Sequence, residues 1–73
     1  MRDHEYEITR NDKDEVMGRV WWDGKKITAD NQSIIHMLKG QVIGGKALDD
    51  GIEFLEKLPA LFKSGYVTAK RIQ

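Results

Sequence analysis

The stretch 16–24 reads Val-Met-Gly-Arg-Val-Trp-Trp-Asp-Gly, and it decides the fold because it holds a strand and the turn that ends it. Side chains of a strand alternate between its two faces, so neighbouring tryptophans point in opposite directions. We assign Trp22 to the core, because Gly18 on the same face leaves room for a helix to approach. The predicted core face consists of Val16, Gly18, Val20 and Trp22. The predicted outer face consists of Met17, Arg19 and Trp21.

A tight turn and two further strands surround this segment. Asp23-Gly24 suits the positive φ angles of a two-residue hairpin turn, so we predict that 25–28 returns as a short third strand. Upstream, 5–10 alternates between polar and apolar residues and predicts a first strand. The charged segment 11–15 is rich in turn formers and predicts the loop between the first two strands.

The centre of the chain has the pattern of an amphipathic helix. Apolar side chains recur at helical spacing after Asn31, and the side chain of Thr28 or Asp30 can cap a helix that begins there. Gly40 is well placed to end it. The segment 41–48 contains two consecutive glycines, which predicts a flexible connection.

A second helix is predicted to begin at Asp49 or Asp50, and in the latter case Glu53 completes a capping pair. Pro59 interrupts this helix, because proline has no N–H to donate and disfavours helical geometry in the residue before it. The segment 66–72 alternates again and predicts a last strand. That strand must rejoin the others, because an isolated strand leaves its backbone groups unpaired.

These elements predict a single α+β domain that spans residues 1–73. Its order is β-β-β-α-α-β, with a small, mainly antiparallel sheet and two helices packed on one face. A chain of 73 residues hides only about 60–65% of its unfolded surface, so the core is thin.

The composition limits where the protein acts and what it binds. The chain has no cysteine, so no disulfide or thiolate metal site supplements the core, and a reducing cytoplasm is the expected compartment. Twelve basic and twelve acidic side chains give a formal net charge of zero, which argues against nucleic acid and anionic membranes as partners. No apolar stretch approaches the ~20 residues of a membrane span.

The outer sheet face is the predicted interaction surface. Its proposed members are Met17, Arg19, Trp21 and Tyr66. In one interpretation Trp21 only shields neighbouring polar side chains on an ordinary surface. In a second, the face binds another protein or a second copy, since these residue types are enriched at interface centres. In a third, the aromatics stack on single-stranded nucleic acid beside Arg19, Lys70 and Arg71.

The motifs that suggest chemistry fail on inspection. The string 40–47 has the glycine and lysine spacing of a phosphate loop, but Ala47 occupies the position that should hold magnesium through a hydroxyl. Asp12, Asp14 and Glu15 resemble the start of a calcium loop but lack its later ligands. Two distant histidines are too few for zinc, and no nucleophile lies beside a base. We therefore expect a non-enzymatic protein without a cofactor or metal.

The expected function is that of a small cytoplasmic protein-interaction module, which binds an unidentified protein or itself through the outer face. The alternative is an accessory nucleic-acid-binding protein that uses the same aromatics with arginine and lysine.

Overall fold

The computed structural model describes residues 2–62 and 67–72. It contains a four-stranded sheet and several short helical segments. The strands are β1 (Asp3–Arg10), β2 (Glu15–Trp22), β3 (Ile27–Ala29) and β4 (Val67–Arg71). The helical segments are α1 (Gln32–Lys39), a 3₁₀ turn (Leu48–Asp50), α2 (Ile52–Glu56) and α3 (Leu58–Leu61).

The sheet confirms the predicted α+β fold class. Its strand order is β3-β2-β1-β4, and every neighbouring pair is antiparallel. The last strand rejoins the sheet beside the first, with Tyr6 opposite Arg71 and Arg10 opposite Val67. β1 is therefore a central strand with a partner on each side, whereas β3 and β4 are edges.

The core joins one face of the sheet to the helices. Trp22 packs against it, as predicted. The ring lies on the backbone of Gly51, where a Cβ atom would stand 2.9 Å from Cζ3 of the indole. The buried apolar side chains are Tyr6, Ile8, Val20, Ile27, Ile34, Leu38, Phe54, Leu55 and Leu58.

The prediction that Met17 lies on the outer face is wrong. Gly18 pairs with Ile8 of β1, whereas Val16 pairs with Thr9, so Met17 is an extra residue in β2 with no partner across the ladder. A β-bulge of this kind shifts the alternation by one residue, which reverses the facing of side chains on its far side. Met17 consequently packs against the core. Val16, which was predicted to be buried, is 53% exposed.

The turn after β2 lies one residue later than predicted. The N–H of Asp23 donates to the carbonyl of Lys26 over 3.1 Å, so the two-residue loop is Gly24-Lys25. Gly24 supplies the positive φ, at 104°. The Asp23 carboxylate accepts the N–H groups of both lysines and thereby fixes the loop, so β3 begins only at Ile27.

The cap of α1 differs from both predicted residues. Asn31 caps the helix, since its Oδ1 accepts the N–H of Ser33 at 2.8 Å. Asp30 instead binds β2, where its Oδ1 accepts the N–H of Arg19 at 3.0 Å and its own N–H donates to the Arg19 carbonyl. Thr28 belongs to β3.

The second helix begins later than predicted, because a 3₁₀ turn occupies Leu48–Asp50 and α2 begins at Ile52. Asp50 does not cap α2, because its carboxylate accepts the N–H of Ala47 at 2.7 Å and so caps the 3₁₀ turn. Gly51 separates that turn from α2. The predicted break at Pro59 is confirmed, because α2 ends before Lys57 and Pro59 lies in the first turn of α3. N–H groups in the first turn of a helix have no partner within the helix, so proline costs no hydrogen bond there.

Candidate functional site

The sheet has one face against the core and one polar face, which we call the outer face. Within residues 2–62 and 67–72, the helices contribute to the core cluster and none packs on the outer face. The strand registers place opposite charges side by side there, with Glu7 between Arg19 of β2 and Lys70 of β4. The members of the outer face are Glu5, Glu7, Thr9, Val16, Arg19, Trp21, Thr28, Thr68 and Lys70.

Trp21 lies on this face, half-buried, opposite Thr28 of β3. The guanidinium carbon of Arg2 stands 3.8 Å from the centroid of the indole ring. Stacking of a guanidinium on an indole is attractive because the cation meets the electron-rich ring face. Arg2 therefore covers part of Trp21 and holds it against the sheet.

A buried carboxylate organises the arginines around Trp21. Glu5 is only 5% exposed, although it lies on the outer face. Its Oε2 accepts a hydrogen bond from Nη1 of Arg2 at 2.9 Å and lies 3.8 Å from Nη1 of Arg19. Nη2 of Arg19 lies 3.6 Å from Glu7. We call these residues, Arg2, Glu5, Glu7, Arg19 and Trp21, the Arg–Trp cluster.

A second bulge, in β1, shapes this cluster. Asp3 pairs with Trp22 and Tyr6 pairs with Val20, so β1 carries one extra residue at positions 4–5. His4 takes a left-handed conformation there, with φ at 51°. Its Nδ1 is buried and has no hydrogen-bond partner among the residues described.

The structure brings together two of the four predicted surface residues. Arg19 and Trp21 both lie on the outer face and belong to the Arg–Trp cluster. Met17 is separated from them by the bulge in β2. Tyr66 lies outside the described residues. Arg2 was missed, because it precedes the alternating pattern of β1 and alternation does not tell which side chains meet across strands.

The glycine-rich segment forms a tight turn. Gly40 ends α1, as predicted. In the segment that was predicted to be a flexible connection, the backbones of Ile43 and Lys46 exchange two hydrogen bonds, of 2.8 and 2.9 Å, around Gly44-Gly45. Both glycines have positive φ, at 57° and 81°, which closes a two-residue hairpin.

Lys46 is held by a carboxylate. Its Nζ lies 2.6 Å from Oε2 of Glu53, and this hydrogen bond and charge raise the pKa of Lys46. The ammonium therefore already has an anionic partner from α2.

The acidic hairpin between β1 and β2 is a solvated loop. Asp12 accepts a hydrogen bond from Arg10 at 3.1 Å, and Asp14 has a positive φ of 49°. In the part of the chain that the structure describes, no three histidine, cysteine or carboxylate side chains are grouped as metal ligands would be.

The helices described here are all too short or too polar to cross a membrane. Comparisons with known protein families, with curated proteins and with solved structures found no match to this chain.

Proposed function

We propose that this chain is a small protein-binding module of the cytoplasm, without enzymatic activity, and that it binds through the Arg–Trp cluster of the outer face. The observation that carries the proposal is the arrangement of Arg2, Glu5, Arg19 and Trp21. The indole of Trp21 lies on the outer face with the guanidinium of Arg2 stacked on it, and the buried carboxylate of Glu5 lies close to both Arg2 and Arg19.

The residue types in the cluster support this function. Tryptophan and arginine are the side chains that most often contribute large binding energies at protein interfaces. Binding also costs entropy when long side chains become ordered. Arg19 is already restrained by Glu5 and Glu7, so it loses less freedom on binding than an unrestrained surface arginine does.

The small core gives further support. A domain of this size hides a limited share of its apolar surface, and a partner that covers the outer face adds burial to the complex. The absence of cysteine from all 73 residues fits a protein that works in a reducing compartment.

The nucleic-acid alternative has less support. Base stacking needs an open aromatic face beside unpaired cations. Arg2 covers Trp21, while Arg19 lies close to two carboxylates. Tyr6, over which Arg71 lies at 5.8 Å, is only 1% exposed.

The first test is the mass of the protein in solution as its concentration rises, measured by light scattering after size-exclusion chromatography. If the outer face binds a second copy, the mass rises toward that of a dimer. Trp21→Ala then returns the protein to a monomer. Val16→Ala is the matched control, since Val16 is exposed on the same face but lies outside the cluster.

If the protein is a monomer, the next test looks for a different protein as the partner. A photoreactive amino acid at position 21, compared with one at position 16, then identifies proteins that contact the cluster in cell extract. Purified candidates are titrated against the native protein and Trp21→Ala, and we expect the variant to bind about tenfold or more weakly. Equal affinity of the two proteins for every candidate contradicts the proposal.

Stability measurements separate binding from folding in these tests. Trp21→Ala is expected to change the free energy of unfolding by about 1 kcal/mol or less, whereas Trp22→Ala leaves a void beside the core and costs about 3 kcal/mol. Urea denaturation measures both. A larger cost at Trp21 than at Trp22 contradicts the assignment of the two faces.

A further inference from the structure

A second surface lies beside β3, away from the Arg–Trp cluster. We infer that the free edge of β3 binds an extended peptide segment of another protein, which has alternating apolar side chains and acidic residues at one end. The inference rests on the hydrogen-bonding phase of the β2–β3 ladder, a groove along the same edge, and two lysines at the end of that groove.

The ladder phase shows which backbone groups of β3 face outward. In an antiparallel pair, residues that exchange hydrogen bonds alternate with residues that do not. Backbone bonds join Asp23 to Lys26 and Asp30 to Arg19, on either side of the three paired positions. Thr28 therefore exchanges its bonds with β2.

The backbone N–H and C=O groups of the residues on either side of Thr28 point the other way, away from β2. Ile27 and Ala29 turn their N–H and C=O groups away from β2, toward the free edge. No hydrogen bond from the described residues meets these outward groups. They are the donors and acceptors that an added strand would use.

A groove of about 530 Å³ follows this edge. One wall is β3, and the others come from Ile35 of α1 and from Leu48 of the 3₁₀ turn, with Trp22 also lining it. These three side chains are half-buried, so each retains apolar surface within the groove. An added strand would pair with Ile27 and Ala29 through residues two apart, and both of those side chains would enter the groove.

The charges at the groove determine at which end the bound peptide carries its acidic residues. Lys25 and Lys26 are exposed, line the groove, and precede the first residue of β3. Neither lysine forms a salt bridge with a carboxylate of the described chain. Asp49 is the acidic side chain among the described lining residues, so the lining carries a net positive charge. The carboxylate of Asp23, which does not line the groove, accepts the N–H groups of both lysines and offsets part of this charge. Acidic residues of a peptide that reach Lys25 and Lys26 are therefore attracted.

The direction of the added strand determines where its acidic residues lie. β3 begins beside the two lysines, so a peptide that runs antiparallel to it ends there. A capped peptide Val-Thr-Val-Thr-Val-Glu-Glu tests this direction, and Glu-Glu-Val-Thr-Val-Thr-Val tests the parallel one. A third peptide, Val-Thr-Val-Thr-Val-Lys-Lys, has the same alternation and the opposite charge.

The experiment is a titration of the isotope-labelled protein with each peptide, followed by amide chemical shifts and amide hydrogen exchange. We expect saturable shifts centred on β3 and slower exchange at Ile27 and Ala29, while Thr28 is already protected in the free protein. Binding of either acidic peptide supports the site, and the tighter of the two gives its direction. The lysine peptide is expected to bind about tenfold more weakly.

Two variants test the contacts separately. Ala29→Pro removes an outward N–H that the ladder does not use, and should abolish binding while the sheet remains. Ala69→Pro is its control on the opposite edge, since Ile72 donates to Glu5 and this phase turns the Ala69 N–H away from β1. A thermal unfolding transition is measured for Ala29→Pro and for Ala69→Pro to check that each variant is folded.

The second variant reverses the charge at the groove. Lys25→Glu with Lys26→Glu should reverse the preference, so that the lysine peptide binds more tightly than the acidic ones. Lys13→Glu with Lys39→Glu changes the net charge equally at exposed positions outside the groove and should preserve the native preference.

Three results of the peptide titrations overturn the inference. They are shifts centred on the Arg–Trp cluster or on β4, no saturable shift with any of the three peptides at millimolar concentration, and equal binding by the native protein and Ala29→Pro. Protection of Ile27 and Ala29 that grows with protein concentration alone identifies a second copy as the occupant, and that result also overturns it. Because Trp21→Ala removes no backbone hydrogen-bonding group of the β2–β3 ladder, its effect on the proposed function is distinguishable from these outcomes.

Discussion

Gly51 has a backbone conformation that a larger residue cannot adopt without strain. Its φ and ψ are 70° and −129°, a region open essentially to glycine, and an added Cβ would lie 2.9 Å from the Trp22 ring. We expect Gly51→Ala to lower the free energy of unfolding by about 2–3 kcal/mol, measured by urea denaturation. Gly40→Ala is the control, because its φ is −90° and nothing lies within 4 Å of its added Cβ. Equal losses in the two variants would contradict this account.

Asp23 makes the stability of the protein depend on acidity. The N–H groups of Lys26 and Lys25, followed by the hydroxyl of Thr28, lower the pKa of Asp23 from 3.8 to about 2. A carboxyl with a lower pKa in the folded state binds protons more weakly there than in the unfolded chain. Its contribution to stability is therefore complete above pH 3.8 and is lost as the pH falls toward 2.

The measurement is the melting temperature between pH 2 and pH 5. We expect Asp23→Asn to reduce the fall in melting temperature across this range, because the asparagine has no proton to gain. Asp12→Asn serves as the comparison, at an exposed carboxylate of the other hairpin. Parallel pH profiles for the native protein and Asp23→Asn would refute the assignment to Asp23.

At the scale of the elements, the bulge in β2 decides which of its side chains face the core. Because Met17 packs against the core and Val16 is exposed, Met17→Ala should cost about 1–2 kcal/mol of unfolding free energy. Val16→Ala should change it by about 0.5 kcal/mol or less. Chemical denaturation of the two variants measures the difference in their unfolding free energies. A greater cost at Val16 would indicate that β2 has no bulge.

Periodicity predicted the elements because an element that is buried on one face has apolar residues at a regular spacing in the sequence. It placed Trp22 in the core and Arg19 and Trp21 on the outer face. It failed at Met17, since a bulge is decided by the register against β1 and no local pattern reports it. The capping prediction failed at Asp30, because a helix cap and a bond to the backbone of Arg19 are both chemically satisfactory and only the packed strand decides between them.

The candidate site was predictable in its position and not in its contacts. Alternation predicted the strand that carries Glu5, but the burial of this carboxylate depends on Arg2 and Arg19, which approach it from other points of the chain. The pairing of Lys46 with Glu53 likewise requires the packing of α2 beside the glycine turn. Long side chains reach partners that sequence spacing does not indicate.

At the scale of the whole molecule, the central position of β1 predicts where the fold is most persistent. A domain of 73 residues typically has an unfolding free energy of about 4–11 kcal/mol. We expect amides of β1 that bond to β2 or β4 to exchange with solvent only through global unfolding. Amides of α3, a helix of 4 residues, should exchange faster through local opening. Hydrogen exchange followed by NMR tests this order, and slower exchange in α3 than in β1 would contradict it.

The pairing of β4 with β1 also has a consequence for the protein while it is being made. β1 is the first of the described strands to leave the ribosome and β4 the last, yet they lie side by side. Until residues 67–71 arrive, this edge of the nascent sheet is β1, a strand of 8 residues, instead of β4, a strand of 5 residues, and another nascent chain can pair with it. A translational pause between β3 and β4 therefore prolongs the time during which this longer edge is open to misassembly.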